Sequence, residues 1–236
     1  LTIATGQPAY EPWVMNDKPE SGEGYEAAVA YAVADKLGFK KSDVVWTRTA
    51  FDTAIAPGAK DWDFNIQQFG ITDERKKAVD FSSSYYNDSQ SVVVKKDSKF
   101  ANATKVSDLK DATVGVMVGT LAYDYAKANI KDDIQTFNDD AALAQALDAG
   151  QIDALVTSTV ECVYMVQSEQ VKDAKVLGRL PDSEDKSGMG IVLPKDSKLT
   201  AAVTKAVDDL NADGTIKKLQ DKWLAEYTTD LTELKK

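Results

Sequence analysis

The sequence predicts an α/β fold in two lobes, each a mainly parallel sheet flanked by helices. Strands and helices alternate from end to end, the pattern of βαβ units. The 236 residues suffice for two modest lobes with real cores. Two apolar strands, Gln90 to Val94 and Gly190 to Leu193, mark candidate crossings between the lobes, and two crossings make a hinged clamshell that closes over a ligand. The lobes are expected at residues 1–88 with 188–236, and at 89–187.

Leu1 to Thr5 reads as a short strand ending at the turn cluster Gly6-Gln7-Pro8. Tyr25 to Leu37 is an Ala-rich helix stopped by Gly38. Asp43 to Thr49 alternates as a strand, and Phe51 to Ala56 starts a helix broken by Pro57-Gly58. Trp62 to Phe69 is the next strand. Thr72 can cap a short helix whose first turn carries Asp73 and Glu74, where negative charge suits the dipole. After Asp80-Phe81 and the serine triplet 82–84, Gln90 to Val94 marks the first crossing. Val106 to Leu109 is a helical turn, Thr113 to Val118 a strand, and a helix begins near Leu121. Ile134 to Phe137 and Ile152 to Val156 are strands, followed by helices at Asp140 to Leu147 and Thr159 to about Val166. Ala174 to Leu177 is a strand and Pro181 to Gly188 a polar loop. Gly190 to Leu193 is the second crossing strand, and helices at Leu199 to Asn211 and Ile216 to Leu224 follow.

Composition excludes more than it selects. A net charge of −10 with pI near 4.6 leaves no basic stripe for nucleic acid or an anionic membrane surface. Histidine is absent, which removes Ser-His-Asp, Cys-His and His-zinc chemistry. Cys162 is the single cysteine, so no intrachain disulfide and no thiolate metal cluster can form. No metal and no cofactor are expected. No apolar run approaches the roughly 20 residues of a membrane span. The chain opens on Leu1 without a basic-then-apolar leader, so a secretion signal is expected to have been processed or trimmed.

Ligands of open α/β sheets sit at the carboxyl ends of strands, where helices begin. Three such junctions stand out: Gln68 to Arg75, Gly119-Thr120-Leu121, and Thr157 to Glu161. In the first, Arg75 brings a fork of fixed N–H donors that fits a carboxylate two-pronged; a surface arginine in a charged helix is the alternative. In the second, a glycine lets the backbone come close and helix N–H groups face outward. Each junction can also be a routine capped turn.

The run from Gly70 to Tyr86 resembles the first-lobe segment of the extracytoplasmic solute-binding proteins of amino-acid ABC importers, the type II periplasmic-binding-protein fold. The resemblance extends from Thr2-Ile3-Ala4-Thr5 to Asp221-Lys222-Trp223-Leu224. It implies that Arg75 grips an α-carboxylate and that Gly119 and Thr120 donate to the same group. It also implies that Tyr10, Trp13 and Phe51 form an aromatic wall, ordinary core packing being the other reading of these rings. Gln68 and Gln90 can add neutral hydrogen bonds near the hinge. Four positions depart from the family pattern: Gly70 and Leu121 stand where serine or threonine is usual, Ser158 replaces the aspartate that pairs with an α-ammonium, and Gly6 replaces an aspartate often found in the first turn after the opening strand. An ammonium buried without a counter-charge costs several kcal/mol. Glu161, about one turn into the third helix, is the candidate replacement and Glu11 a weaker one; a solvated helix residue is the other reading of Glu161.

The resemblance thus implies an extracytoplasmic, monomeric binding protein that captures an amino acid or related carboxylate and passes it to a membrane permease. Lobe closure needs no catalytic step, in keeping with the missing histidine. Two alternatives stand beside it. One is a cyclohexadienyl (prephenate or arogenate) dehydratase on the same fold, with Glu161 as the acid. The other is the sensor domain of a receptor.

Overall fold

The computed structural model describes residues 1–228 and 231–236. The chain divides into two compact units, the first made of Leu1–Asn87 and Asp185–Ala225, the second of Asp88–Glu184 and Glu226–Lys236. Each unit holds one five-stranded sheet flanked by helices.

The first unit runs β1 (Thr2–Gly6), α1 (Tyr25–Lys36), β2 (Val45–Thr49), α2 (Phe51–Ile55), β3 (Phe64–Asn65), α3 (Asp73–Lys76) and β4 (Val79–Tyr86). The second runs β5 (Gln90–Lys95), β6 (Val114–Met117), α4 (Leu121–Asn129), β7 (Ile134–Phe137), α5 (Asp140–Asp148), β8 (Ala154–Ser158), α6 (Thr159–Gln167) and β9 (Ala174–Arg179). The chain then returns to the first unit with β10 (Met189–Pro194), α7 (Thr200–Ala212) and α8 (Thr215–Trp223).

Strand order is β2-β1-β3-β10-β4 in the first sheet and β7-β6-β8-β5-β9 in the second. In each sheet one strand runs against the rest: β10 is antiparallel to β3 and β4, and β5 is antiparallel to β8 and β9. Those two strands are the first that the chain lays down on entering each sheet after a crossing. Each starts beside the carboxyl end of a neighbour, Gln90 opposite Ser158 and Met189 opposite Tyr86, and so must run backwards. The crossings therefore enter at the sheet edge where ligand-binding loops gather.

The interiors differ in chemistry. Trp13, Tyr25, Tyr85, Phe64 and Phe69 are fully buried in the first unit. Trp13 meets Tyr25 and Tyr86 with ring centroids 6.0 and 5.6 Å apart, the tilted and edge-on geometries that aromatic quadrupoles prefer. The second unit is filled mainly by aliphatic side chains, among them Val92, Leu109, Val114, Val116, Leu143 and Leu155. Gly24 opens α1 at φ +101°, and a Cβ there would meet the Trp13 carbonyl oxygen at 2.5 Å, so only glycine lets the helix start against that loop.

Two expectations are corrected, and one stretch left without an assignment is placed. The stretch 62–69 pairs as a strand only at Phe64–Asn65, because Gln68 takes a left-handed φ of +49° that turns the chain out of the ladder. The serine triplet lies inside β4, where Ser82 Oγ accepts the Ile191 N–H at 2.9 Å across a register shift against β10. Residues 226–236, expected in the first lobe, pack with the second unit, and residues 229–230 of that stretch lie outside the described residues. There Leu234 is buried, its N–H donates to Arg179 O at 2.9 Å, and Thr232 O lies where a Cβ on Gly178 would sit.

Candidate functional site

In the first unit three adjacent parallel strands, β2, β1 and β3, deliver their carboxyl ends to one edge. The segment after β1 carries Tyr10, α2 after β2 carries Phe51, and the turn after β3 carries Gln68, Gly70 and Arg75. Arg75 is held in a defined pose. Its Nη1 donates to Gly70 O at 2.8 Å, its guanidinium lies 5.4 Å from the Phe51 ring centre, and its backbone N–H donates to Thr72 Oγ1 at 3.1 Å. Phe51 rests in turn on buried Phe69, with ring centroids 4.8 Å apart at 31°. A planar cation backed by an aromatic face keeps its charge while losing rotamer freedom before any ligand arrives. Asp185 lies close enough for the Arg75 charge to favour its ionised form, although its own burial outweighs this and raises its pKa.

A second arginine shows the contrast. Arg48 Nη1 donates to Gly6 O at 2.9 Å and the guanidinium pairs with Asp17, whose Oδ1 also accepts the Ala9 N–H at 2.9 Å. That arginine pins the first loop, which carries Tyr10 and Glu11. Glu11 Oε1 accepts the Asn16 N–H at 2.9 Å and so serves the same loop.

Trp13 is 1% exposed and packs in the aromatic core with Tyr25 and Tyr86, the core-packing reading of that ring. Gln68 makes its hydrogen bonds to a residue the sequence reading missed. Its N–H donates to Glu26 Oε1 at 2.8 Å and its Nε2 donates to Glu26 Oε2. Glu26 is fully buried, and burial pushes its carboxyl up to about 7 against the hydrogen bonds from Tyr85 and Gln68 that favour the charge. In sequence it is one more acid in the first turn of a helix, and nothing there distinguishes it.

In the second unit β6 and β8 are parallel neighbours, so the heads of α4 and α6 stand side by side at the carboxyl edge. Gly119, at φ +73°, and Thr120 open α4. The Thr120 hydroxyl accepts the Tyr123 N–H at 3.2 Å and donates its proton to Met117 O at 2.7 Å. A hydroxyl has one proton to give, and in this structure it goes to a bond within the turn. Leu121 is half-buried at the first helical position.

Ser158 caps α6 by accepting the Glu161 N–H at 3.4 Å. Glu161 is 2% exposed, which excludes the solvated reading. Two further carboxyls join it. Asp88 is 6% exposed; its Oδ1 accepts the Ser89 N–H at 2.7 Å, while its Oδ2 makes no hydrogen bond. Burial pushes Asp88 up to about 7, against Ser158 and the N–H groups of residues 89, 159 and 160. Asp140, facing the Thr157 hydroxyl at 3.4 Å, is pushed by burial up to about 6. All three lie near enough to buried Cys162 to add to the rise that burial imposes on its thiol. Among the described residues no group of three or more His, Cys, Asp or Glu side chains is placed to hold a metal ion. No helix among them is long and apolar enough to cross a membrane.

Residues 1–226 match the profile of the bacterial extracellular solute-binding proteins, family 3. The chain belongs to that family. Among curated members it is 29% identical to the L-arginine-binding protein of Pseudomonas aeruginosa, over 92% of this chain and 85% of the relative. It is 30% identical to the L-cystine-binding protein TcyJ of Escherichia coli, over 93% of this chain and 81% of the relative. Among solved structures an ancestral arginine-binding protein bound to arginine superposes with a TM-score of 0.80 at 31% identity, covering 95% of this chain and 98% of that one. These likenesses place a family 3 solute-binding protein on the two-unit, type II periplasmic-binding fold described above.

Proposed function

We propose that this solute-binding protein captures an amino acid outside the cytoplasm and hands it to the permease of an ABC importer, acting as a binder and not as an enzyme. The observation that carries the reading is the pose of Arg75, a guanidinium fixed by Gly70 O and backed by Phe51 at the carboxyl edge of the first sheet. Such a cation receives an α-carboxylate through charge-assisted, two-pronged hydrogen bonds. Tyr10, Phe51 and Gly70 are the other first-unit contacts in this reading. Gly119, Thr120 and Leu121 contribute through the backbone at the head of α4, and Ser158 and Glu161 through the head of α6.

The second unit gathers Asp88, Asp140 and Glu161 at that edge, which favours a ligand bearing positive charge. Arginine therefore heads the order, ahead of neutral amino acids, and the arginine-binding relatives support the same order. An importer of this type works by differential affinity of its closed form for ligand, so binding and closure suffice.

The test is a thermal-shift and calorimetric screen of the purified protein against L-arginine, L-lysine, L-glutamine and L-cystine. A ligand at a thousandfold excess over its Kd adds about 4 kcal/mol of apparent stability. Arg75→Ala is expected to abolish that shift; an unchanged shift removes Arg75 as the anchor. A parallel incubation with prephenate, followed by ultraviolet absorbance, is expected to give no aromatic product, and turnover would replace this reading with an enzymatic one.

A further inference from the structure

Glu26 is the most heavily engaged buried acid of the first unit. It lies in the first turn of α1, and three donors converge on its carboxyl: the Gln68 N–H, the Gln68 side-chain amide and the Tyr85 hydroxyl. Around that knot, Tyr25 OH donates to Tyr85 O, and Gln220 Nε2 reaches Tyr25 OH at 3.4 Å and Tyr85 O at 3.3 Å. Three donors and no acceptor call for a group that only accepts, which is an ionised carboxylate. The partner it fixes is unusual. Gln68 is a non-glycine residue at φ +49°, a backbone state that persists only where its surroundings impose it. The next two residues are Phe69, which supports the Phe51 ring behind Arg75, and Gly70, whose carbonyl holds the Arg75 guanidinium.

We infer that Glu26 is a positioning residue for the ligand grip: by clamping Gln68 in its left-handed conformation it sets the Phe69–Gly70 segment that orients Arg75. The inference rests on the proposed role of Arg75 as carboxylate anchor. It adds a pH dependence with a recognisable signature. The titratable groups facing the Glu26 carboxyl are Tyr25 of its own helix and Tyr85 of β4, and burial raises both above the ordinary phenol range, so both stay neutral. The neutral amides of Gln68 and Gln220 complete the surroundings. Glu26 itself changes charge near 7.

Below that pH its carboxyl carries a proton among three donors, and the clamp loosens. Ligand affinity should therefore rise with pH through about 7. Fold stability should move the opposite way. A carboxyl whose pKa rises from 4.5 in the unfolded chain to about 7 in the folded one stabilises fully below 4.5 and loses that contribution as pH climbs to 7. A residue with a purely structural role has no reason to move the two quantities in opposite directions.

The test is amide hydrogen exchange, resolved by peptide, on the full chain as wild type, Glu26→Gln, and Glu26→Gln with Gln68→Gly. In Glu26→Gln, exchange across residues 68–76 is expected to accelerate about tenfold or more while second-unit peptides stay unchanged. L-arginine affinity is expected to fall and to lose its rise with pH. Glycine at 68 adopts the left-handed state unaided, so the double variant should regain part of the protection. Should Glu26→Gln fail to fold, wild type compared at pH 6 and pH 8, after correction for intrinsic exchange, should show the same local loosening at pH 6. Unaltered protection at 68–76, or loss spread evenly over the first unit, overturns the inference. If wild type binds no amino acid, the proposed function fails, and the exchange pattern still decides whether Glu26 clamps this segment.

Discussion

The two units bury acid on similar sheets in different company. In the first, the Glu26 carboxyl accepts from Gln68 and Tyr85 amid the rings of Tyr25, Tyr85 and neighbouring Trp13. In the second, Asp88 lies at the head of α6 in a largely aliphatic interior with one oxygen lacking a hydrogen bond. The first arrangement is a frame, in which a satisfied polar network fixes a backbone segment and the segment fixes a cation. The second is a gathering of acids, with Asp88, Asp140 and Glu161 each close to buried Cys162 and burial raising the pKa of the first two. On the function proposed above, one sheet topology serves two binding tasks: a rigid frame suits the anchor for an anion, and gathered acids suit the reception of a cation.

Five substitutions would break or sharpen this contrast. The largest effect is expected from Trp13→Ala, which empties the centre of the aromatic frame and should cost about 3–5 kcal/mol in urea unfolding followed by circular dichroism. A cost below about 1 kcal/mol would mean that the rings are not what holds the first unit together. Leu155→Ala, in the aliphatic interior of the second unit, should cost about 2–5 kcal/mol while leaving exchange at residues 68–76 as in wild type.

Asp88→Asn comes next, and its sign depends on pH. The folded carboxyl is raised from 3.8 to about 7, so wild type carries this contribution in full below 3.8 and loses it as pH rises to 7. The variant lacks that decline. Relative to wild type it should gain stability at pH 8 compared with pH 4, by up to about 4 kcal/mol, read from paired thermal melts. Parallel curves for the two proteins across that range would show that Asp88 is not held towards neutrality.

The smallest effects belong to the helix caps. Thr72→Ala and Thr120→Ala each remove a hydroxyl that accepts a backbone N–H, from Arg75 and Tyr123 respectively, and each should cost about 1 kcal/mol. They should part company in calorimetry with L-arginine. Loss of the Thr72 cap frees the backbone of the anchor itself and weakens binding, whereas the Thr120 hydroxyl already gives its proton to Met117 O. Equal losses of affinity would place the Thr120 side chain on the ligand.

Much of the fold was legible because periodicity and turn residues are local signals. The helix from Tyr25, the strand Ile134–Phe137 and the Thr72 cap follow from residues a few positions apart. The strand nature of the serine triplet was not legible, since it depends on pairing with β10 more than a hundred residues away. Likewise Trp13 and Phe51 look alike as aromatics near a loop, and only packing separates the core ring from the one beneath Arg75.

The sequence by itself determined the α/β class, the absence of histidine chemistry, and the strand-to-helix junctions that carry Arg75, Thr120 and Ser158, because each is written in composition or in short-range spacing. Only the tertiary structure decided which polar groups are already engaged. Gln68 is committed to Glu26, the Thr120 proton to Met117, and Glu161 is withdrawn from water. Burial and hydrogen-bond partnership are properties of surroundings assembled from distant segments, so no local pattern records them.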